Sequence, residues 1–368
     1  MKYIFFFSSS FLLFLVNTTV YSQCNGSMDN CGKKYSEVSY LTTHNAYNTD
    51  SEGFSLPNQH LGIADQLNQG VRAFMLDVYD LFGTPTQYHG SALLGTQALS
   101  SDLDEIKSFL DVNSNEIVTL ILECNVSADD IESELINAGL MLYVYTHVNG
   151  AAWPTLQEMI NVNKRLVVFS DVDDASASQA WYHYVWDFAV ETHYSVNDVN
   201  DFTDDYNRGD SLNDLYIFNH FVTNGLTGTG MDAESAIANE YNFLLNRIEF
   251  NNLLKGKFPN FITVDFFELG DALDVVNSIN GGYLGLHHSI KNPEIVVGPN
   301  PANNFIQLNV PNNAAFSVVM SNLKGEIVFV KSNAVAGLKV NTSDFPNGLY
   351  LLKIKQKERV CLKKIVVL

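Results

Sequence analysis

The chain has 368 residues, of which 46% are hydrophobic and 12% aromatic, and carries a formal net charge of −20. This composition excludes a disordered polypeptide and is sufficient for one large domain and one small one. The acid excess repels nucleic-acid phosphates and anionic headgroups at long range, which argues against a polyanion-binding function.

Met1 to Ser22 carry one Lys, an apolar run rich in Phe, Leu and Val, and then small or polar residues, the pattern of a secretory signal peptide over 1–22. Ser8, Ser9 and Ser10 interrupt its apolar run, and no later stretch offers the roughly 20 apolar residues of a membrane span. In an exported chain Cys24 and Cys31 read as a short-loop disulfide. Cys124 lies in an apolar strand pattern as a buried thiol, Cys361 is too distant to pair with it, and no spacing reads as a zinc site.

Eight β-branched or aromatic runs follow: Ser39–Thr43, Arg72–Tyr79, Glu116–Glu123, Met141–Thr146, Arg165–Ser170, Tyr184–Val190, Tyr216–Phe221 and Phe261–Phe266. Their alternation with helix-like segments predicts a TIM-type (β/α)-barrel over 23–290. Ser101 is expected to cap a helix with an acidic first turn. Thr155 and Glu158 form a capping-box pattern, and Glu234–Leu254 is expected to be the last long helix before the final strand.

The charge then reverses, from −26 over residues 1–294 to +6 over 295–368. Such a step marks a boundary. A linker is expected at 291–298, followed over 299–368 by alternating strands with Asn-, Gly- and Pro-bearing turns, a small all-β sandwich. Pro299-Asn300-Pro301-Ala302, Leu323-Lys324-Gly325, Asn347-Gly348-Leu349-Tyr350 and Lys363-Lys364 together resemble the C-terminal sorting domain of type IX secretion cargo. An appended carbohydrate-binding sandwich is the competing reading, and no aromatic platform favours it. The implied partner is the type IX machinery, and the implied location is outside the cell or on its surface.

The active site of such a barrel lies at the C-terminal strand ends, where the sequence places His44-Asn45, Asp77, Glu123, Asp171, Asn219-His220 and Asp265. If the substrate is a phosphate ester, something cationic must offset the acidic field locally, and a metal ion is the natural candidate.

His44-Asn45-Ala46 after a strand, Gly70-Val71-Arg72 leading to Asp77, His89-Gly90, and a strand ending in Glu123 together resemble the X region of the phosphatidylinositol-specific phospholipase C superfamily. The resemblance is strong over 37–125. It continues weakly through Trp153-Pro154-Thr155, Lys164–Phe169 and Pro259–Asp265, in the manner of X-domain-only proteins.

It implies catalytic histidines at His44 and His89, a metal shell of Asn45, Asp77 and Glu123, and a calcium cofactor. Asn45 and Asp77 stand where metal-independent bacterial members carry Asp and Arg. Met75 departs from the animal pattern, which has an acidic ligand there, so the metal has fewer protein oxygens; calcium accepts this by taking waters. The implied reaction is phosphodiester cleavage in an inositol phospholipid or related glycolipid. In it His44 donates to the phosphoryl oxygen, His89 is the general acid, and Glu123 or a water is the base.

Arg72 and Asp265 are secondary candidates for the substrate pocket, although Arg72, within a strand, also reads as an ion-pair partner. Asp77 could instead pair with Arg72, and Asp265 could orient His44. His220, His287 and His288 read as surface or core residues, and 197–210 as a solvated acidic loop over the barrel mouth. Two other functions compete. A catalytically silent glycan- or lipid-binding barrel is favoured by Met75, and a glycerophosphodiester-type hydrolase is disfavoured by His44-Asn45-Ala46 in place of His-Arg-Gly. With no Lys/Arg cluster, unphosphorylated headgroups are expected, and the protein is expected to be a monomer.

Overall fold

The computed structural model describes residues 23–281 and 296–368 except 175, 176, 226, 310–314, 323–325 and 357–358. The signal peptide, His287, His288, linker residues 291–295 and Leu323-Lys324-Gly325 lie outside the described residues.

The first part of the chain forms β1 (Tyr40–Thr43), α1 (Ile63–Asn68), β2 (Ala73–Leu81), β3 (Thr84–Gln87), β4 (Gln97–Ala98), α2 (Leu99–Val112), β5 (Val118–Asn125) and α3 (Ala128–Asn137). Next come α4 (Leu156–Asn161), β6 (Leu166–Ser170), β7 (His183–Tyr184), β8 (Ala189–Glu191), β9 (Leu215–Asn219), α5 (Asp232–Ala238), α6 (Tyr241–Lys255), β10 (Phe261–Val264) and α7 (Ala272–Asn280). Parallel pairing runs in the order β7-β6-β5-β2-β1-β10-β9-β8, with β3 and β4 added as an antiparallel extension of β2. The end strands β7 and β8 are joined by the single 3-10 turn Val185–Asp187.

The core shows that the sheet curves around one interior, although among the described residues no strand pairing joins β7 to β8. Tyr40, Ala73, Ile121, Val167, Phe169, Ala189, Ile217 and Phe261, drawn from β1, β2, β5, β6, β8, β9 and β10, share one buried cluster with Tyr35, Trp153 and Phe188. Their strand neighbours Leu41, Phe74, Leu120, Val168, Phe218 and Ile262 belong to a second cluster with helical Leu103, Ile106, Leu135 and Leu244. Successive strand residues alternate faces, so one set fills the barrel and the other meets the helices. The Cys24–Cys31 disulfide forms, with Cα atoms 5.1 Å apart, and Cys24 packs with the interior cluster. Cys124 is a buried free thiol.

Several expectations are corrected. Met141–Thr146 makes only an isolated bridge, Val144 to Leu166; the eighth barrel position arises because Tyr184–Val190 breaks into β7 and β8. Helix α2 begins at Leu99 behind Ala98, without a side-chain cap, so Ser101 lies inside it. The capping box of Thr155 and Glu158 forms. Glu234–Leu254 is two helices, because Asn239 turns its amide to the Asp265 and Phe266 carbonyls and Glu240 caps the restart at Phe243.

The C-terminal unit begins at β11 (Val296–Gly298), inside the expected linker. β12 (Phe305–Asn309), β13 (Phe316–Asn322), β14 (Ile327–Ala334), β15 (Leu338–Asn341), β16 (Gly348–Gln356) and β17 (Arg359–Val367) follow. They form antiparallel sheets β11-β12-β15 and β14-β13-β16-β17, whose inner residues Ile306, Val340, Val318, Leu352 and Ile365 share a core. Among the described residues no helix is long and apolar enough to cross a membrane.

His220 is fully buried, the core alternative of its two expected placements. Arg247 donates to its Nδ1 at 2.8 Å, so its Nε2 carries the proton and donates to the Ala238 carbonyl at 2.8 Å. Burial, then the Arg247 charge, pushes its pKa down to about 3. Asp204, expected in a solvated loop, is a mostly buried neighbour of Arg247 at 3.7 Å.

The unfolded chain protonates His220 near 6.5, whereas the fold resists until about 3. This contribution to stability is therefore complete above pH 6.5 and is lost as pH falls, at up to about 1.4 kcal/mol per pH unit. His220→Gln, which keeps a donor and an acceptor, should flatten the decline of melting temperature between pH 6 and 4; an unchanged slope counts against it.

Candidate active site

Inward positions recur every second residue along each strand. Thr42 leads to His44 after β1, Met75 to Asp77 on β2, Ile121 to Glu123 on β5, Phe169 to Asp171 after β6, Ala189 to Glu191 on β8, Ile217 to Asn219 on β9 and Thr263 to Asp265 after β10. The apolar interior thus ends in a polar layer. His44, Asn45, Met75, Asp77, Glu123, Asp171, Glu191, Arg208 and Asn219 line one pocket there.

His44 presents Nδ1 to Asp265 Oδ1 at 2.9 Å, and Asp265 is fully buried. The imidazole stacks on Phe221 with centroids 3.8 Å apart and planes 8° from parallel, which fixes its ring. A carboxylate can only accept, so Nδ1 carries the proton and Nε2 is left as a base.

His89 is held in the same way by a different acid. Its Nδ1 lies 3.2 Å from Asp77 Oδ2, which also accepts from the Tyr47 hydroxyl at 3.0 Å. The hydrogen bond to Asp77 raises the His89 pKa above its ordinary 6.5, against the opposing effect of burial. The loop that carries it is closed at its base by buried Asp102, which accepts from Gln87 at 2.7 Å and from Gln97. Gly228, at φ +71°, approaches so closely that a β-carbon there would stand 3.3 Å from His89 Nε2.

Asn45 adopts φ 45°, a left-handed conformation that asparagine tolerates. Its Nδ2 lies 3.2 Å from Asn58 Oδ1 and 3.2 Å from His89 Nδ1. Asp77 and Glu123 are paired in register across β2 and β5. Burial, then Asp77 and Asp171, raises the Glu123 pKa, and its side-chain partner is the Tyr79 hydroxyl at 3.4 Å. Asn45, Asp77 and Glu123 are hard oxygen donors of the kind calcium takes. The set is sparse: among the described residues no three His, Cys, Asp or Glu side chains converge as a metal group.

The opposite wall is organised by Arg208, absent from the expected set. It pairs with Glu191 at 2.6 Å, approaches Asp171 at 3.9 Å and lies over the rings of Trp186 and Tyr194. Gly209 lets this segment run against β8, since a β-carbon there would strike the Ala189 carbonyl. Glu191 also ends a short inward run, a signal readable from sequence; Arg208 and Asn58 sit in loops where no periodicity identifies them.

Arg72, a secondary pocket candidate, stands at the other end of β2. It pairs with Glu116 at 2.7 Å and donates to the Leu67 and Val71 carbonyls, so it joins elements at the N-terminal rim, and Asp77 pairs with His89 instead.

With chelator present, histidine NMR titration should place His89 above 6.5, and Asp77→Asn should bring it down. Because the fold favours the protonated ring, its stabilisation is complete below the unfolded value and disappears as pH rises through the folded one. A His89 titration unmoved by Asp77→Asn would contradict the assigned contact.

The sequence model of the PI-PLC X 1 family matches residues 30–280, and that of the secretion system C-terminal sorting domain matches 296–368. The latter marks the chain for type IX secretion. PI-PLC X domain-containing protein 1 of Arthroderma benhamiae is 27% identical over 281 residues, covering 70% of this chain and 89% of that protein. A PI-PLC X domain-containing protein of Arabidopsis thaliana is 30% identical over 281 residues, covering 69% and 64%. A phosphatidylinositol-specific phospholipase C mutant structure from Staphylococcus aureus aligns with a TM-score of 0.47 at 14% identity, covering 67% of this chain and 94% of the other. With its family model spanning the whole barrel, the chain belongs to the PI-PLC X domain family.

Proposed function

We propose that the barrel is a phosphodiesterase that cleaves an inositol phospholipid or related glycolipid by general acid/base catalysis, with calcium as cofactor. Family membership and fold point to phosphodiesterase-type chemistry. The observation that carries the finer reading is the pair of imidazoles held through Nδ1 by separate carboxylates, His44 on Asp265 and His89 on Asp77, with His44 and Asp77 themselves lining one pocket.

His44 Nε2 is suited to take the proton from the attacking hydroxyl, and buried Asp265 stabilises the imidazolium that results. This differs from the sequence expectation, in which His44 donates to the phosphoryl oxygen and Glu123 or a water is the base. A new phosphorus–oxygen bond forms to that hydroxyl as the ester bond to diacylglycerol breaks. His89, biased toward its protonated form, gives its proton to the departing oxygen. If the nucleophile is the headgroup's own hydroxyl, the product is a cyclic phosphate, which water can open with the two histidines in exchanged roles.

Asn45, Asp77 and Glu123 are the residues that would hold calcium; when bound it supplies positive charge against the phosphoryl oxygens. The raised pKa of Glu123 supports the reading, since crowded carboxylates gain from a cation. Arg208 is already committed to Glu191, and its aromatic setting favours a polyol face over a phosphorylated headgroup.

The expected result is release of diacylglycerol and a cyclic inositol phosphate from phosphatidylinositol vesicles, lost with chelator and restored by calcium. His44→Ala and His89→Ala should each lower kcat by roughly 10²–10⁴-fold. Turnover that survives both substitutions overturns the acid/base assignment, and turnover indifferent to chelator removes calcium alone. Calorimetric binding without turnover in the unmodified protein would identify a silent binding barrel.

A further inference from the structure

We infer that Asn58 is a positioning residue that holds the His44–Asp265 pair in place and sets which atom of Asn45 faces outward beside His89. The inference rests on the reading of His44 and His89 given above.

Asn58 is fully buried in the loop between β1 and α1, and both of its backbone hydrogen-bonding groups are engaged. Its N–H donates to the Asn48 carbonyl at 2.9 Å, and its carbonyl accepts from Phe266 N–H at 2.9 Å. The second contact ties it to the residue after Asp265, and Phe266 itself is held at φ 43°. The side chain is therefore presented on a rigid support.

Chemistry dictates the amide's orientation. Asn58 Nδ2 lies 3.2 and 3.1 Å from the two Asp265 oxygens, which as a carboxylate only accept, so nitrogen must face them. The amide oxygen then points the other way, accepting from Asn45 Nδ2 at 3.2 Å and Asn48 Nδ2 at 2.7 Å. Asn45 in turn must offer its nitrogen inward. That nitrogen also stands 3.2 Å from His89 Nδ1, a packing contact of two donors since Nδ1–H is given to Asp77, and Asn45 Oδ1 has no protein partner among the described residues.

A hydrogen-bonded series thus runs from His44 through Asp265 and Asn58 to Asn45, with each amide orientation fixed by the one before, and Asn45 then stands against the His89 ring. Asp265 is the origin: with both of its oxygens claimed by Asn58, its direction toward His44 Nδ1 is set. At the far end, the Asn45 oxygen is the atom left for a phosphoryl-bound cation or water. A flipped Asn58 would reverse every later donor and acceptor.

The test uses Asn58→Asp and Asn58→Ala in the full exported chain. Asp keeps the acceptor for Asn45 and Asn48 but sets an oxygen against Asp265; Ala removes both contacts. In the unmodified protein, proton NMR without metal or substrate should show a downfield His44 Nδ1 proton bonded to Asp265. Either folded variant should shift or lose that signal and also move the His89 ring nitrogens, which Asn58 does not touch. Where turnover is measurable, kcat should fall roughly 10–100-fold with KM little changed.

A folded variant that keeps both the His44 proton signal and the His89 nitrogen shifts overturns the inference. Moved signals in a protein without turnover uphold the positioning role and count against the catalytic reading alone. If neither variant folds, the unmodified chain decides: the Asn45 and Asn58 side-chain amide protons should exchange slowly with solvent, and fast exchange overturns the coupling.

Discussion

A barrel strand can turn only alternate side chains inward, and the organisation of this protein follows from that geometric limit. The interior is apolar through Phe169, Ile121 and Ile217 and becomes polar one step later at Asp171, Glu123 and Asn219. Because the strands are parallel, every such transition occurs at the same rim. The aromatic cluster of Tyr35, Trp153, Phe188 and Phe261 closes the interior below, so polar chemistry is confined to one end. Ordinary core packing thereby brings side chains from distant segments within reach of one another.

Collecting acids in this way has an electrostatic cost, which is resolved differently on the two sides of the pocket. Glu191 accepts from Arg208, Asn207 and Asn219 and is fully compensated although buried. Asp265 is compensated by His44 and Asn58. On the other side Asp77 has His89 and Tyr47, while Glu123 has only a tyrosine hydroxyl and the repulsion of its neighbours. Negative charge is thus left at one position facing solvent. The histidines sit at the junction of the two sides, one biased toward protonation by Asp77 and the other presenting a basic nitrogen.

The two units solve unrelated problems. The acidic body carries the site, whereas the basic C-terminal unit is two small antiparallel sheets around a core of Ile306, Val318, Leu352 and Ile365 and serves export. The sign change in charge between them reflects this division. Cys24 and Cys31, paired at the start of the described chain, suit the oxidising surroundings of an exported protein.

Much was legible in the amino-acid order alone. Period-two runs ending in His44, Asp77, Glu123 and Asp265 located one rim, and the X-region spacing identified His89 although it lies in a loop. Local chemistry also revealed the capping box at Thr155 and the short-range disulfide, since both depend on neighbours a few residues apart. Partnerships across the barrel were not legible, because they depend on which strands become adjacent. Arg72 could have joined Asp77 but faces Glu116, His220 gained a buried arginine, and Glu234–Leu254 broke where Asn239 was recruited by the Asp265 and Phe266 carbonyls. The same holds for Arg208 and Asn58. Loop residues carry no periodicity, and only the tertiary fold places one against Glu191 and the other between Asp265 and Asn45, because hydrogen bonding there is set by three-dimensional proximity and not by order along the chain.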